Sequence, residues 1–331
     1  MNVGYYLVGG VVALLLLFLA VIAFYAIFIN PRVHAATDYR SSRYLATPPP
    51  PLKQPLTLKI VTFNIADGYL FSTNRRERMQ AIGGLLTELD PDIVGIQESF
   101  VASDREVLLD ALKGSRLLYH ADYPAATVGN GLLTLSAYPI VESYFHRYRA
   151  SNSWYKLHQG DWWAGKGVGL ARIELPDGEQ LDFYNTHAQA GRRDDANLQV
   201  KYAQMGELAA FVNQSRSGTA PAFVVGDFNT KIGRKDLQHA VDEANLLPMV
   251  VGETGIDLIF AVADPRYRIA VRDTRPVEGV AQGSNAAIFL SRAPGLRELW
   301  NMRFGEGEKT PLSDHRGYLS TITVEQAGSV T

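Results

Sequence analysis

The sequence predicts β-sheets packed on each other and covered outside by helices, not a doubly wound parallel sheet. Two observations carry this. Beyond residue 56, many short runs rich in β-branched and aromatic residues alternate unevenly with only a few long helical stretches. Two of those runs, 168–175 and 181–186, are joined by Pro176-Asp177-Gly178, a hairpin signal that makes them antiparallel neighbours.

Taken in order, the chain opens on an uncharged segment. From Val3 to Ile29 there is no Asp, Glu, Lys or Arg. As a helix those 27 residues would reach ~40 Å, beyond a hydrocarbon core of ~30 Å. A secretory signal is the rival, with small residues at Val33-His34-Ala35, but the run is too long and no basic residue precedes it. We therefore expect a transmembrane anchor over 1–29, single-pass near the N terminus. Arg32, Arg40 and Arg43 follow it, which by the positive-inside rule favours a cytoplasmic catalytic domain. Residues 30–56 read as a Pro-rich linker, because the Pro48–Pro51 run with Pro55 favours extended polyproline II. Residues 57–331 read as one catalytic domain.

Within that domain, Leu58–Ile65 is the first strand. Arg75–Glu88 is a helix, broken at Asp90-Pro91 before the buried run Ile93–Gln97. Strands follow at 131–136, 168–175 and 181–186. The clearest helix is 194–212, where Leu198, Tyr202, Met205, Ala209 and Val212 share one face. Strands at 222–225, 256–262, 287–290 and 318–324 complete the series.

Composition narrows the function. The absence of Cys excludes a disulfide scaffold, a thiolate zinc site and a cysteine nucleophile. Without residues 1–56 the chain holds 28 basic and 33 acidic residues, a balance of −5, opposite in sign to that of a nonspecific nucleic-acid binder. Polar residues gather where strands end. Asn64 closes the first strand, Gln97-Glu98 the second, and Asn185-Thr186-His187 the 181 strand; Asp227 and Asn229 follow the run AFVV, and Ser313-Asp314-His315 precedes the last strand. Singly, each reads as a solvated end, an Asx turn or a surface histidine. Together, oxygen ligands without Cys suit a hard cation such as Mg²⁺, leaving the imidazoles to move protons.

In order, TFNI (62–65), IQES (96–99), GLLTLSAYPI (131–140), NTHAQAG (185–191), GDFNT (226–230), GIDLIF (255–260) and SDHRG (313–317) resemble the endonuclease/exonuclease/phosphatase superfamily of Mg²⁺-dependent phosphodiesterases. The resemblance implies a four-layer α/β/β/α sandwich. It also implies that Glu98 and Asn64 lie at the metal, Mg²⁺ or Mn²⁺, with Asp314 beside its shell. Asp227 and Asn229 would position the phosphate and the attacking group, His187 would contact the phosphate, and His315 would be the catalytic histidine oriented by Asp257. Two features look most like the neutral and bacterial sphingomyelinases: His187-Ala188-Gln189-Ala190, and the loop Gly160–Gly167, whose Asp161 and Lys166 resemble a substrate-binding Asp/Lys pair. A solvated surface pair is the plainer reading of those two residues.

The leading expectation is a membrane-anchored, sphingomyelinase-like phosphodiesterase acting on a phospholipid, with no protein partner implied. A nuclease or a nucleotide or phosphoinositide phosphatase on the same fold is the second reading, and a non-catalytic binding module the third. Trp154, Tyr155, Trp162, Trp163, Trp300 and Phe304 read as packing under long loops, with lipid contact as the functional alternative. His120, His146, His158 and His239 have no motif around them and read as structural.

Overall fold

The computed structural model describes residues 3–24, 38–68, 72, 74–123, 129–152, 164–190, 195–250, 255–282 and 309–328. Two six-stranded sheets form its centre. One holds β1 (Leu56–Asp67), β2 (Ile93–Ser99), β3 (Tyr119–Asp122), β4 (Leu133–Ser136), β11 (Tyr267–Val277) and β14 (Gly317–Gln326), in the order β11-β14-β1-β2-β4-β3. The other holds β5 (Ile140–Arg147), β6 (Gly167–Glu174), β7 (Gln180–His187), β8 (Ala222–Asp227), β9 (Leu246–Pro248) and β10 (Asp257–Val262), in the order β5-β6-β7-β8-β10-β9. A small ribbon pairs β12 (Val280–Gln282) with β13 (Lys309–Pro311).

Three apolar clusters separate four layers. Leu58, Ile60, Ile93, Phe183, Phe223, Val225 and Ile322 fill the space between the sheets. On the outer face of the first sheet, Val61, Phe63, Val94 and Ile96 meet Met79, Ile82 and Leu86 of α3 (Arg75–Leu89) and Leu108 of α4 (Ala102–Ala111). On the outer face of the second, Leu170, Tyr184, Val224 and Phe260 meet Met205, Leu208 and Val212 of α5 (Asp195–Ser215) and Leu237 of α6 (Lys235–Ala244). The expected α/β/β/α sandwich is thus formed, with the hairpin of β6 and β7 antiparallel as its turn required. Sequence periodicity missed α4, α6, β3, β5, β9, β11, β12 and β13, and the expected strand at 287–290 lies outside the described residues.

The N-terminal helix α1 runs from Val3 to Phe24 and carries no charge. Among the described residues no helix is long and apolar enough to cross a membrane.

The described part of the Pro-rich segment is no free spacer. It includes one helical turn, α2 (Arg43–Ala46), and lies on the domain as a strap. The Tyr39 hydroxyl donates to Gln214 at 2.7 Å and its ring stands edge-on to Phe211. Ser42 donates to Glu142 at 2.6 Å, and Thr219 donates to the Pro49 carbonyl at 2.5 Å. Leu52 is buried in the inter-sheet core, its N–H donating to the Tyr267 hydroxyl and its carbonyl accepting from Gln326. The reason is plain: a segment that buries Tyr44 and Leu52 gains more by packing than by solvation.

Candidate active site

The pleat explains where the polar residues meet. Facing the second sheet, alternate residues of β1 run Leu58, Ile60, Thr62, Asn64, and those of β2 run Ile93, Gly95, Gln97. From the opposite sheet come Leu181, Phe183, Asn185, His187 of β7; Phe223, Val225, Asp227 of β8; and Ala261, Ile259, Asp257 of β10 read backwards. Each inward row is apolar at one end of the sandwich and polar at the other, a period-2 pattern carried to the rim. Register aligns the polar ends, with His187 opposite Asp227 and Asp227 opposite Asp257. One layer below, Gln97 donates to Asn185 at 2.7 Å and joins the sheets.

Glu98 does not follow this alternation, which would turn it toward the helices with Val94 and Ile96. Its φ of 59° is left-handed and swings the carboxylate into the rim. Such a backbone costs a non-glycine residue ~1–2 kcal/mol. Asn229 (φ 51°) and Ala66 (φ 47°) are strained in the same way beside it. At Gly226 the φ of 150° and the close Thr186 carbonyl leave no room for a Cβ.

The Asn64 amide sits at the centre. Its Nδ2 donates to Glu98 Oε1 at 3.0 Å and to Asp227 Oδ2 at 3.1 Å, and lies 3.4 Å from His315 Nε2. Its Oδ1 accepts from the Ala66 N–H at 3.0 Å, which fixes this orientation. Glu98, Asp227 and His315 each offer a ligand atom within 4.8 Å of the others. His315 Nδ1 lies 2.8 Å from Asp257 Oδ2. His187 Nε2 is 3.3 Å from Asp227 Oδ2 and 2.8 Å from Lys166 Nζ, whose ammonium also donates to the Ala188 carbonyl at 2.8 Å. Asn229 donates its backbone N–H to Asp227 Oδ1 and its side-chain amide to the Ala188 carbonyl. The Asx turn that the Asp-x-Asn spacing suggests is therefore present, while Asp227 Oδ2 still faces the rim.

Burial by itself would lower the His315 pKa. The hydrogen bond that His315 donates to Asp257 and the charges of Asp257, Asp227 and Asp314 outweigh it and push the imidazole up to about 9. Burial pushes Asp257 up to about 7; the His315 bond opposes this, and the Asp227 and Glu98 charges add to it. Asp227 goes the other way. Against its burial, the His187 bond and the charges of His187, His315 and Lys166 hold it well below the usual carboxylate range. Burial first and the nearby carboxylates second raise Asp257, the carboxylates raise His315, and a divalent cation would supply the missing charge. The carboxylates of Glu98 and Asp227 fit that role beside the His315 imidazole.

The structure thus brings together Asn64, Glu98, Lys166, His187, Asp227, Asn229, Asp257 and His315. Asp227, expected to position the phosphate and the attacking group, lies with Glu98 and His315 in the group that could hold a metal ion, and Asp314, expected beside the metal shell, is exposed and not one of those three. Asp314 sits in the connection before β14, where no strand face aims it inward. Asn64 turns its NH₂, not its carbonyl oxygen, toward the acids. Asp161 lies outside the described residues, as do His158 and the six singled-out aromatics.

Sequence reasoning missed Arg78. Fully buried, it donates to the Leu312 carbonyl at 3.0 and 2.7 Å and to the carbonyls of Ile65 and Ala66. It ties the end of β1, with Asn64, to the segment carrying His315. The signal was available: Arg78 shares a helical face with Ile82 and Leu86, where a charge needs a partner.

Fold and site together define a class, a two-sheet sandwich with an acid-rich rim able to hold a divalent cation beside a carboxylate-oriented histidine. The chain belongs to the Endonuclease/Exonuclease/phosphatase family, whose model matches residues 61–315. It is similar to sphingomyelin phosphodiesterase 2 of Homo sapiens, 31% identical over 176 residues that cover 53% of this chain and 41% of the relative. Similarity of the same order extends to inositol phosphosphingolipids phospholipase C of Schizosaccharomyces pombe, 30% identical over 174 residues, 52% of this chain and 41% of the relative. These matches span less than half the length of either relative. Among solved structures, sphingomyelinase C from Streptomyces griseocarneus shares the fold with a TM-score of 0.58 at 17% identity, covering 80% of this chain and 99% of its own. TDP2 of D. rerio complexed with single-strand DNA product shares it with a TM-score of 0.56 at 12% identity, covering 80% and 98%.

Proposed function

We propose that this protein is a divalent-cation-dependent phosphodiesterase that hydrolyses the headgroup ester of a phospholipid, in the manner of a sphingomyelinase, and that residues 3–29 hold it to a membrane. The observation that carries the reading is the meeting of Glu98, Asp227 and His315 within 4.8 Å, with Asp257 behind the histidine. Similarity to two phosphosphingolipid-directed relatives supports the substrate class. The uncharged helix α1, continuing without charge to Ile29, supports the anchor, and residues 30–56 then join it to the catalytic domain.

Glu98 and Asp227 would hold the cation, Mg²⁺ or Mn²⁺, next to Asn64. When bound, such a cation offsets the charge that develops on a phosphoryl oxygen. His315, neutral and held by Asp257, takes a proton from the attacking water as its oxygen bonds to phosphorus; the bond to the leaving lipid oxygen breaks, and that oxygen takes up a proton from solvent water to leave as an alcohol. His187 and Asn229 line the position of the phosphoryl oxygens, and Lys166, 2.8 Å from His187, supplies positive charge there.

The test is to incubate the purified full chain with Mg²⁺ or EDTA, separately with sphingomyelin, other phospholipids and single-stranded DNA, and to identify products by mass spectrometry. Phosphocholine or another phosphorylated headgroup, released only with Mg²⁺, is expected. Nucleotide products would overturn the reading in favour of a nuclease. Lys166→Ala should lose most lipid cleavage with little change in Tm, whereas parental activity in that variant would take Lys166 out of the mechanism.

A further inference from the structure

The loop that leaves the site after β8 reads Lys231-Ile232-Gly233-Arg234-Lys235, and all five residues are exposed. Ile232 keeps 45% of its surface in contact with solvent, and Gly233 turns the chain at a φ of 84°. Three cations in five residues stand out on a domain whose overall balance is acidic. Among the described residues, only Arg234 of the three has an ion-pair partner, the buried Asp236 at 3.9 Å. Beside the loop, Tyr202 of α5 is 48% exposed and stacked flat on His239 at 4.3 Å.

The loop is continuous with the active-site rim. A cavity of about 610 Å³ separates Tyr202 and Leu198 from Arg234 and Lys235. A second, of about 230 Å³, passes Lys201 and Lys231 to reach Asn229 and Ile256, next to Asp257. Lys201 Nζ donates to the Asn229 carbonyl at 3.0 Å, so the ramp and the site share a wall.

We propose that residues 231–235 with Tyr202 form a docking surface for an anionic phospholipid bilayer, seating the rim of Asp227 and Asn229 against the lipid. This deepens the phospholipase-type reading, on which it rests, by naming the face that meets the membrane and the lipid charge it selects. An exposed isoleucine between cations gains by entering the apolar side of an interface while its neighbours stay at the phosphate level. Lys and Arg near an anionic leaflet are attracted over about a Debye length. Nucleic acid is the poorer occupant: the apolar tip has no use against a phosphate backbone, and Tyr202 already spends one ring face on His239.

The chain contains no Cys, so Ile232→Cys places a single environment-sensitive label at the tip. The full chain is reconstituted in nanodiscs of phosphatidylcholine alone or with one-third phosphatidylserine. The label should brighten and shift to the blue with phosphatidylserine and revert in high salt, while a label at Lys113→Cys, on the opposite helix layer, should not respond. K231E/R234E/K235E should lower cleavage of phosphatidylserine-containing membranes at least ~10-fold and leave a soluble phosphodiester, bis(p-nitrophenyl) phosphate, cleaved as in the parent. Equal emission in the two nanodiscs, or a shift produced by a single-stranded oligonucleotide instead, would overturn the docking surface. Failure of the parent on the soluble diester would instead sink the catalytic reading, and the fluorescence result would still decide the docking.

Discussion

His315 is where geometry and electrostatics meet most directly. Its imidazole faces Asp257 through Nδ1 and the Asp227–Asn64 group through Nε2, and carboxylates on both sides favour the charged form. A general base must be neutral, so kcat/KM should rise with pH as His315 loses its proton, giving an acid limb. His315→Ala should cost at least ~10²-fold and flatten that limb; a limb that persists would make His187 the base. Asp257→Asn should keep the fold and lose rate through a misdirected imidazole. Glu98 carries a different burden, a strained φ that serves only to present its carboxylate. Glu98→Gln keeps the shape and removes the charge, so turnover should fall ~10²-fold or more, with a higher Mg²⁺ requirement for what remains and an unchanged Tm. Parental activity at ordinary Mg²⁺ would take Glu98 out of the mechanism.

At the level of elements, the junction of β1, α3 and α4 holds the ligand strands in place with buried charge. Asp67, at the end of β1, accepts from the Val101 N–H at 3.3 Å and stands 3.5 Å from Arg75. Arg75 in turn pairs with Asp104 of α4. Burial, with the Asp104 charge and a hydrogen bond shared with that carboxyl, pushes Asp67 up to about 7. Its ordinary value is 3.8, so between roughly pH 4 and 7 the folded state holds a proton that the unfolded chain has released. Stability should therefore fall as pH rises through that window. Asp67→Asn cannot ionise, and urea denaturation of this variant at pH 5 and pH 8 should show a smaller loss than the parent. An identical pH slope in both proteins would show that the carboxyl is not protonated in the fold.

The whole molecule is larger than the domain that the sequence alone outlines. The strap from Asp38 to Pro55 crosses α5, β5 and the ends of β11 and β14, at the end of the sandwich away from the active-site rim. It is bonded to the core through a buried relay, from Ser42 to Glu142, Glu142 to Arg172, and Arg172 to Asp182. A fragment starting at Thr57 discards all of this. Burial of Leu52 alone contributes ~2–3 kcal/mol. The 57–331 fragment should therefore melt roughly 5–10 °C below a 38–331 fragment in calorimetry. Equal melting temperatures would mean that the strap only rests on the surface.

Much of the site was legible in the one-dimensional pattern. Rows such as Phe223, Val225, Asp227 and Leu181, Phe183, Asn185, His187 are apolar at one end and polar at the other, because a strand repeats every two residues whatever sheet it joins. The uncharged N-terminal run, the hairpin turn and the Asx turn at Asp227 were readable for the same reason, since each depends on neighbours in sequence. Local pattern could not say that the 313–317 segment, near the end of the domain, returns beside β1, where β14 pairs with the first strand. Nor could it show the left-handed turn that takes Glu98 out of its own alternation, the exposure of Asp314, the buried Arg78 clamp or the folding-back of the Pro-rich strap. Those follow from contacts between residues far apart in the chain, whose energies no local periodicity encodes. The sequence by itself determined which side chains stand at strand ends, and only the tertiary structure decided which of them share one charge-crowded pocket.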